Sequence, residues 1–441
     1  MSTTLRVIDW AGLGPDERTA ALLRPAVRAD RSIMKTVTGL IDEVRADGDE
    51  AVLRLTERFD GVRLKSLPVS PEEVAAAKAE LPASAVDAIH NAIANIERFH
   101  AAQLTGPLRV ETTPGVVCER IARPIQAVGL YVPAGRAPLP STAIMLAVPA
   151  RLAGCPVRVM CTPPRPDGRA DPAVVVAADA CGITKICKAG GAQAIAAMAY
   201  GTDSIPKVDK VFGPGNAWVT AAKQVVASDA SGAARDMPAG PSEVMVIADA
   251  DADPRFVALD LLSQSEHGPD SQSILVCTDA ELATAVQAEV DTVLASLPRR
   301  GLIEQSLRHA AVILVDTIDD ALEVANLYAP EHLIIQVNNP RQYIDLIHNA
   351  GSVFLGPWTP ESVGDYCSGT NHVLPTYGYA RNHSGLSVAD FQKQLTVQEL
   401  SRAGLEALAP TVQTLAGLEQ LDAHARAVTV RLDSSRTGAD S

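Results

Sequence analysis

Strand-like and helix-like segments alternate along residues 125–230, and this alternation restricts the possible folds more than any other feature of the sequence. Each strand-plus-helix unit is about 30 residues long, which is the size of a βαβ unit. Such alternation is typical of a parallel sheet whose strands are joined by right-handed helical crossovers. The strand-like segments are AVGLYVPAG, VRVMCTPP, TKICKAGG and KVDKVFGPG.

A second series of the same kind occupies residues 236–358. Segments with helical periodicity, PRQYIDLIHNAG among them, separate its strands. The two series predict two α/β sheets of similar size, although they are too dissimilar to be identified as a repeat. The strand-like segments of the second series are EVMVIAD, SQSILVCTD, AAVILVDT, HLIIQV and SVFLG.

The segments outside the two series are predicted to be mainly helical. A hairpin turning at Pro114-Gly115 follows the N-terminal helices, and residues 390–432 are predicted to be helical, with a frayed tail at 433–441. We therefore predict an α/β fold of two doubly wound, Rossmann-like domains with a helical segment at each end. The predicted parts are 1–124, packing on the second α/β domain; 125–235, the first domain; 236–389, the second domain; and 390–441, the C-terminal segment.

Charge and cysteine content argue against several classes of function. The formal net charge is -14 without a basic stripe, which argues against nucleic acid as a partner. The first residues lack the apolar core of a signal peptide, and no run of about 18 apolar residues predicts a membrane span. The 7 cysteines form no C-x-x-C pair, so reduced thiols and a cytoplasmic location are expected.

Glycine-rich turns follow three strands of the first series, in YVPAGRAP, KAGGAQ and FGPGN. They should lie at the carboxyl edge of the sheet, where open α/β sheets bind ligands. Two of them lead into helix N-termini, whose free N–H groups suit a pyrophosphate. Gln193 and Asn216 stand at these helix starts. Because no G-x-G-x-x-G is present, the turns could equally serve only as tight connections.

The segment DPRFVALDLLSQSEHG is predicted to be a helix from Pro254 to His267, with Asp253 as its N-cap. Asp260, Gln264 and His267 share one face of this helix. Gln264 and His267 could therefore form half of a metal site. The spacing alone favours the alternative, an exposed polar face that ends in a histidine.

Other candidate side chains lie before strands or in irregular segments. Glu331-His332 precedes the strand LIIQV and suits general acid–base catalysis, although a solvated corner is the simpler interpretation. Ser242 lies on the stiff loop DMPAGPSE and could contact substrate or cap a turn. Asp365 in the irregular segment 359–389 and His424 on the terminal helix could complete a site of two imidazoles and two oxygens, which suits zinc.

Seven segments of this sequence are similar to histidinol dehydrogenase. The similarity runs from about residue 30 to about residue 430, with Ala134 standing where the family more often has glycine. The segments are GLYVPAGRAPLPST, KAGGAQAIAAMAYGT, FGPGNAWV, DMPAGPSEV, DLLSQSEHGPDSQ, YAPEHL and GDYCSGTNHVLPTYGYAR.

The resemblance implies a homodimeric enzyme with one Zn²⁺ per subunit that oxidises L-histidinol to L-histidine, through L-histidinaldehyde, with NAD. It also implies that the terminal segment carrying Glu419 and His424 reaches the partner subunit's site. By motif position, the implied roles are metal ligands at Gln264, His267, Asp365 and His424; a catalytic pair at Glu331 and His332; further substrate contacts at Ser242 and Glu419; and NAD contacts at Tyr131, Gln193 and Asn216. The substrate would also touch the metal ligands and the catalytic pair.

Two other functions and one other mechanism stay open. A paralogue could oxidise another amino or polar alcohol on the same scaffold, and a regulatory nucleotide-binding protein could use an inactive one. A covalent thiohemiacetal would need an activated thiol, for which Cys118 and Cys155 are the candidates.

The order of motifs along the chain predicts where the site lies. The candidate NAD residues follow strands of the first sheet, whereas Ser242, Gln264 and Glu331 precede strands of the second. We therefore predict a cleft between the carboxyl edge of the first sheet and the amino edge of the second, which departs from the usual carboxyl-edge rule.

Overall fold

The structure is a computed structural model that describes residues 5–25, 31–134, 137–238 and 240–433. Part of the predicted turn YVPAGRAP and the last eight residues of the predicted C-terminal segment lie outside these ranges. The helices are α1 (Pro15–Ala21), α2 (Arg31–Asp60), α3 (Pro71–Glu80), α4 (Ala83–Ala101), α5 (Pro140–Leu152), α6 (Pro172–Ala180), α7 (Gly191–Tyr200), α8 (Ala217–Ser228), α9 (Pro254–Ser265), α10 (Ala280–Leu294), α11 (Arg300–Ser306), α12 (Ile318–Tyr328), α13 (Glu361–Tyr366), α14 (Arg402–Leu418) and α15 (Asp422–Asp433).

The strands form two parallel sheets and one antiparallel sheet. They are β1 (Arg6–Asp9), β2 (Leu108–Thr113), β3 (Val116–Pro124), β4 (Ala127–Tyr131), β5 (Val157–Thr162), β6 (Lys185–Lys188), β7 (Lys210–Phe212), β8 (Ala234–Arg235), β9 (Glu243–Ala248), β10 (Gln272–Cys277), β11 (Ala311–Leu314), β12 (His332–Gln336), β13 (Ser352–Leu355) and β14 (Gln392–Leu400).

The first parallel sheet has the strand order β6-β5-β4-β7-β8 and contains the four strands predicted from residues 125–230. Both of its faces are covered by helices, with α5 and α6 contributing to one apolar cluster and α7 and α8 to another. Burial on both faces explains why its strands read as continuous apolar runs.

The second parallel sheet has the order β1-β11-β10-β9-β12-β13 and contains all five strands predicted from residues 236–358. Apolar clusters again cover both faces. The doubly wound α/β prediction is therefore confirmed. The edge strand β1 of this second sheet was not predicted, because its four residues are too few to show a periodic pattern.

The N-terminal helices pack differently from the prediction. Helix α2 packs on α7 and α8, α3 on α6, and α4 on α5, so they cover the first sheet and not the second. That part of the prediction is wrong because an amphipathic stripe shows that a helix packs but not which surface it meets. Of the described N-terminal residues, β1 joins the second sheet, and Trp10 and Ala21 belong to an apolar cluster on one of its faces, so this short segment does pack there as predicted.

Two predicted helices are also wrong. Residues Pro340–Leu346 form a 3-10 helix with no buried side chain. Residues Gln392–Leu400 form β14, which pairs antiparallel with β3, because the backbone of the hairpin offers a free edge that satisfies its hydrogen bonds.

The chain divides into two compact units. The first holds the described residues up to Gln103 together with Ile125–Phe391, and it contains both parallel sheets. The second holds Leu104–Pro124 and the described residues from Gln392 onward. Within the second, β2 and β3 form the predicted hairpin, and α14 packs on α15. The four-part division drawn from the sequence stays a prediction. Among the described helices, none has both the length and the apolarity to cross a bilayer.

Candidate active site

Strand β12 begins at His332, and the main chain of β9 holds both members of the pair Glu331-His332. The backbone N–H of Glu243 donates to Glu331 Oε2 over 2.8 Å, and the Glu243 carbonyl lies 3.1 Å from His332 Nδ1. A carbonyl oxygen can only accept, so Nδ1 carries the hydrogen. His332 Nε2 is then the basic nitrogen, and among the described residues this buried atom has no hydrogen-bond partner.

Two short helical segments bring oxygen and nitrogen ligands to the same place. Glu361 and Asp365 are one turn apart on α13, so they share a face. Gln264 lies in the last turn of α9, whose N-cap is Asp253 as predicted, and His267 follows the end of that helix. Helix α9 ends at Ser265, two residues before its predicted end.

Distances show that these side chains form one cluster. His267 Nε2 lies 3.8 Å from Asp365 Oδ2, and His332 Nε2 lies 3.6 Å from Asp365 Oδ1. Ligand atoms of His267, Glu361 and Asp365 all lie within 4.8 Å of one another. Gln264 contacts Glu361 and so belongs to the same cluster. The structure thus brings together three of the four predicted metal ligands, namely Gln264, His267 and Asp365. Glu361 is a member that the sequence analysis missed.

Burial and the neighbouring charges together set the pKa values of this cluster. It raises the pKa of Glu331 to about 8 and that of Glu361 well above its usual range. Burial alone would raise the pKa of Asp365, but the neighbouring His332 imidazole lowers it to about 2. Burial alone would likewise lower the pKa of His332, but the surrounding carboxyl groups raise it.

The donor atoms of the cluster fit a divalent metal ion. Carboxyl groups packed this closely are costly to ionise together unless a cation compensates them. Imidazole and carboxylate ligands suit zinc. His267 and Asp365 are therefore able to hold such an ion, and Gln264 lies next to them, in contact with Glu361.

His372 links the cluster to the first sheet, and it too was missed from the sequence. Its Nδ1 lies 2.7 Å from the Asp365 carbonyl, and its Nε2 lies 3.2 Å from the Thr142 hydroxyl. Thr142 stands in the first turn of α5, which follows the carboxyl end of β4. The amino edge of the second sheet thus faces the carboxyl edge of the first, as predicted. His372 lies within the motif GDYCSGTNHVLPTYGYAR, so the resemblance offered a signal for it.

Gln264 and Glu331 lie at the same end of the second sheet. Gln264 contacts Glu361, and His332 Nδ1, next to Glu331 in sequence, lies 3.8 Å from Glu361 Oε1. Ser242 immediately precedes β9, and its carbonyl accepts from the Gln272 N–H over 3.1 Å. These positions agree with the predicted amino-edge site.

The residues predicted to contact NAD lie at the carboxyl edge of the first sheet, and two of them make hydrogen bonds within the protein. The buried Tyr131 hydroxyl accepts from the Gly191 N–H over 3.1 Å, and burial raises its pKa to about 12. Asn216 Oδ1 caps α8 by accepting from two backbone N–H groups. Gln193 is buried in the first turn of α7.

Glu419 and His424 belong to the second compact unit. Glu419 is the C-cap residue of α14, and His424 lies on α15, both with exposed side chains.

Cys155 does not have the activated thiol that the alternative thiohemiacetal mechanism requires. Its side chain is buried, with Sγ 3.4 Å from the Phe391 carbonyl, and burial raises its pKa to about 11. A nucleophilic thiol needs the opposite shift.

Comparison with known proteins gives consistent similarities over nearly the whole chain. A family described as histidinol dehydrogenase matches residues 23–432. Histidinol dehydrogenase from Xanthomonas campestris pv. campestris is 56% identical, with 97% of this chain and 99% of the relative covered. The Photobacterium profundum enzyme of the same name is 54% identical, with 97% and 96% covered. The crystal structure of histidinol dehydrogenase from Elizabethkingia anophelis superimposes with a TM-score of 0.94 at 45% identity, covering 98% of each chain.

Proposed function

The chain belongs to the histidinol dehydrogenase family of oxidoreductases, and we propose that it oxidises L-histidinol to L-histidine in two NAD-dependent steps through L-histidinaldehyde. The observation that carries this proposal is the buried pair Glu331-His332, whose basic Nε2 lies beside the cluster of His267, Glu361 and Asp365.

Zinc is the metal we propose for this cluster, held by Gln264, His267 and Asp365, with His424 of the partner subunit as the fourth ligand. When bound, zinc would supply a positively charged template for the imidazole and amino nitrogens of the substrate. Support comes from the ligand types and from their spacing of less than 4.8 Å among His267, Glu361 and Asp365.

His332 is the proposed base of the first oxidation. Its Nε2 accepts the proton of the substrate hydroxyl while the carbinol hydrogen leaves as hydride to the nicotinamide. The Glu243 carbonyl at 3.1 Å holds Nδ1–H and stabilises the imidazolium that forms. The products of this step are the aldehyde, NADH and one proton.

Glu331 is the proposed base for hydration of the aldehyde. Burial raises the pKa of Glu331 to about 8, so above that pH the side chain is an ionised carboxylate that can take a proton from water attacking the carbonyl carbon. The His332 imidazolium formed in the first step gives its Nε2 proton to the aldehyde oxygen as the hydrate forms, so Nε2 can accept a hydroxyl proton of the hydrate as the second hydride leaves to NAD. The burial of both side chains limits access of bulk water during these steps.

NAD is proposed to bind at the carboxyl edge of the first sheet, near Tyr131, Gln193 and Asn216. This edge holds the N-termini of α7 and α8, whose N–H groups suit a pyrophosphate. Because Asn216 uses its oxygen for capping, its amide nitrogen is the group available for NAD.

A homodimer with shared active sites is proposed from the second compact unit. Exposed apolar side chains on α14 and α15, among them Leu418 at 76% and Val430 at 61%, would be covered by a second copy. Glu419 and His424 would then serve the partner subunit's site, Glu419 by binding the cationic substrate. A cytoplasmic location is proposed because the cysteines are free thiols.

A substrate panel tests the proposed function. Purified zinc-loaded protein is assayed with NAD and L-histidinol, other amino alcohols and simple polar alcohols, with NADH formation as the readout. We expect kcat/KM for L-histidinol to exceed that for every other alcohol by at least about 100-fold, since buried polar groups reject analogues that leave them unpaired. A preference for another alcohol would assign the chain to a paralogous activity.

A further inference from the structure

Gln264 and Glu361 lie in direct contact and are almost entirely buried, at 0% and 1% exposed. A carboxamide has two different ends, of which only the oxygen is a good ligand for a divalent metal ion. The direction in which the amide of Gln264 points therefore decides whether it can ligate at all.

The surrounding atoms fix that direction. With its nitrogen toward Glu361, Gln264 Nε2 donates to Glu361 Oε1 over 2.6 Å and lies 3.2 Å from Oε2. In the opposite orientation the amide oxygen would face only acceptors and the amide nitrogen only donors, so neither end of the amide would be satisfied. Hydrogen-bond partners are the accepted basis for assigning amide orientation.

We propose that Glu361 is a positioning residue, which holds the amide nitrogen of Gln264 and thereby turns the amide oxygen toward the metal ion. This inference rests on the proposed zinc site. Glu361 acts through Gln264 and is not itself a ligand, although its carboxylate lies in the same cluster as His267 and Asp365.

A swap of the two side chains separates a positioning residue from a ligand. In Q264E, two carboxylates face each other without a donor. In Q264E/E361Q, the new amide at 361 donates to the new carboxylate at 264, whose other oxygen points to the metal. E361Q should therefore have opposite effects on zinc affinity in the protein with Gln at residue 264 and in the protein with Glu there. Removing a residue that hydrogen-bonds to a metal ligand typically weakens metal binding about 10- to 100-fold.

The measurement is the zinc dissociation constant of the apoprotein, by competition with a chelator, supported by the absorption spectrum of the Co²⁺-substituted protein. We expect E361Q to weaken zinc binding at least about tenfold when residue 264 is Gln, and to strengthen it when residue 264 is Glu. The Co²⁺ spectrum of Q264E/E361Q should return toward that of the wild type. E323Q, the same change on an exposed face of α12, serves as the control and should leave zinc binding unchanged.

Each outcome decides between the possible roles. Weakening by E361Q in both backgrounds would make Glu361 a ligand and overturn the inference, as would no effect in either. Wild-type protein that binds no zinc, or D365N that binds as tightly as wild type, would overturn the proposed metal site itself. If E361Q weakens zinc binding with Gln at residue 264 and strengthens it with Glu there, the result supports both the positioning role of Glu361 and the proposed metal site.

Discussion

His332 Nδ1 lies 3.1 Å from the carbonyl oxygen of Glu243, so the strand next to β12 determines which nitrogen of the imidazole is basic. We predict that H332N, whose amide can still donate to this carbonyl, lowers kcat about 100- to 10,000-fold for both L-histidinol and L-histidinaldehyde. Rapid-mixing measurements of NADH formation from each substrate check this. Zinc content and melting temperature should not change. H332N with a tenth of wild-type turnover would show that another group is the base.

The ion pair of Arg24 and Glu243 stabilises the strand that holds the catalytic pair. Arg24 contacts both carboxylate oxygens, at 2.5 and 3.0 Å, and donates to the carbonyl of Tyr328. R24Q leaves the buried carboxylate without its cation, so we predict a loss of about 3 kcal/mol in the free energy of unfolding.

Urea denaturation measures that loss, and R24Q/E243Q should recover part of it because no charge is then left buried. R54Q, which breaks exposed ion pairs with Glu43 and Asp47, is the matched control and should change stability little. Equal stability of R24Q and R54Q would contradict a structural role for the Arg24 pair.

Asp260 makes the stability of the protein depend on pH. Burial raises its pKa from 3.8 to about 7, and its carboxyl accepts from Gln336 over 2.7 Å. An acid whose folded-state pKa is raised favours folding while it is neutral. This contribution is fully present below about pH 4 and is lost as pH rises through about 7, above which it changes no further.

The neutral variant D260N keeps the acceptor for Gln336 and removes the ionisation. We predict that its stability relative to wild type grows between pH 4 and pH 8, by at most roughly 4 kcal/mol. Thermal unfolding across this range provides the measurement. A difference that does not vary with pH would show that Asp260 ionises without penalty.

Apolar periodicity in the sequence locates the buried strands, but it does not locate side chains that specific hydrogen bonds hold in place. The strands of both sheets were predicted because buried parallel strands are continuous apolar runs. Ser242, Gln264 and Glu331 were placed at one sheet edge because each precedes a strand, which requires only chain order.

Glu361 and His372 were missed for a physical reason. Both lie in residues 359–389, where conformation depends on specific hydrogen bonds, such as those of His372 to Asp365 and Thr142, and not on a repeating apolar pattern. Strand β14 was missed because its side chains are mostly exposed on both faces, so its pattern carries no burial signal. Its strand conformation depends on pairing with β3, a contact between residues far apart in sequence.

The number of NADH molecules formed per L-histidinol tests the central claim most directly, because Glu331 and His332 are proposed to carry out both oxidations in one site. Limiting L-histidinol is incubated with zinc-loaded protein and excess NAD, and NADH, L-histidine and free aldehyde are quantified. The account predicts two NADH and one L-histidine per substrate without free aldehyde, and one NADH with unhydrated aldehyde for E331Q. Wild-type protein that forms one NADH and releases the aldehyde would contradict it.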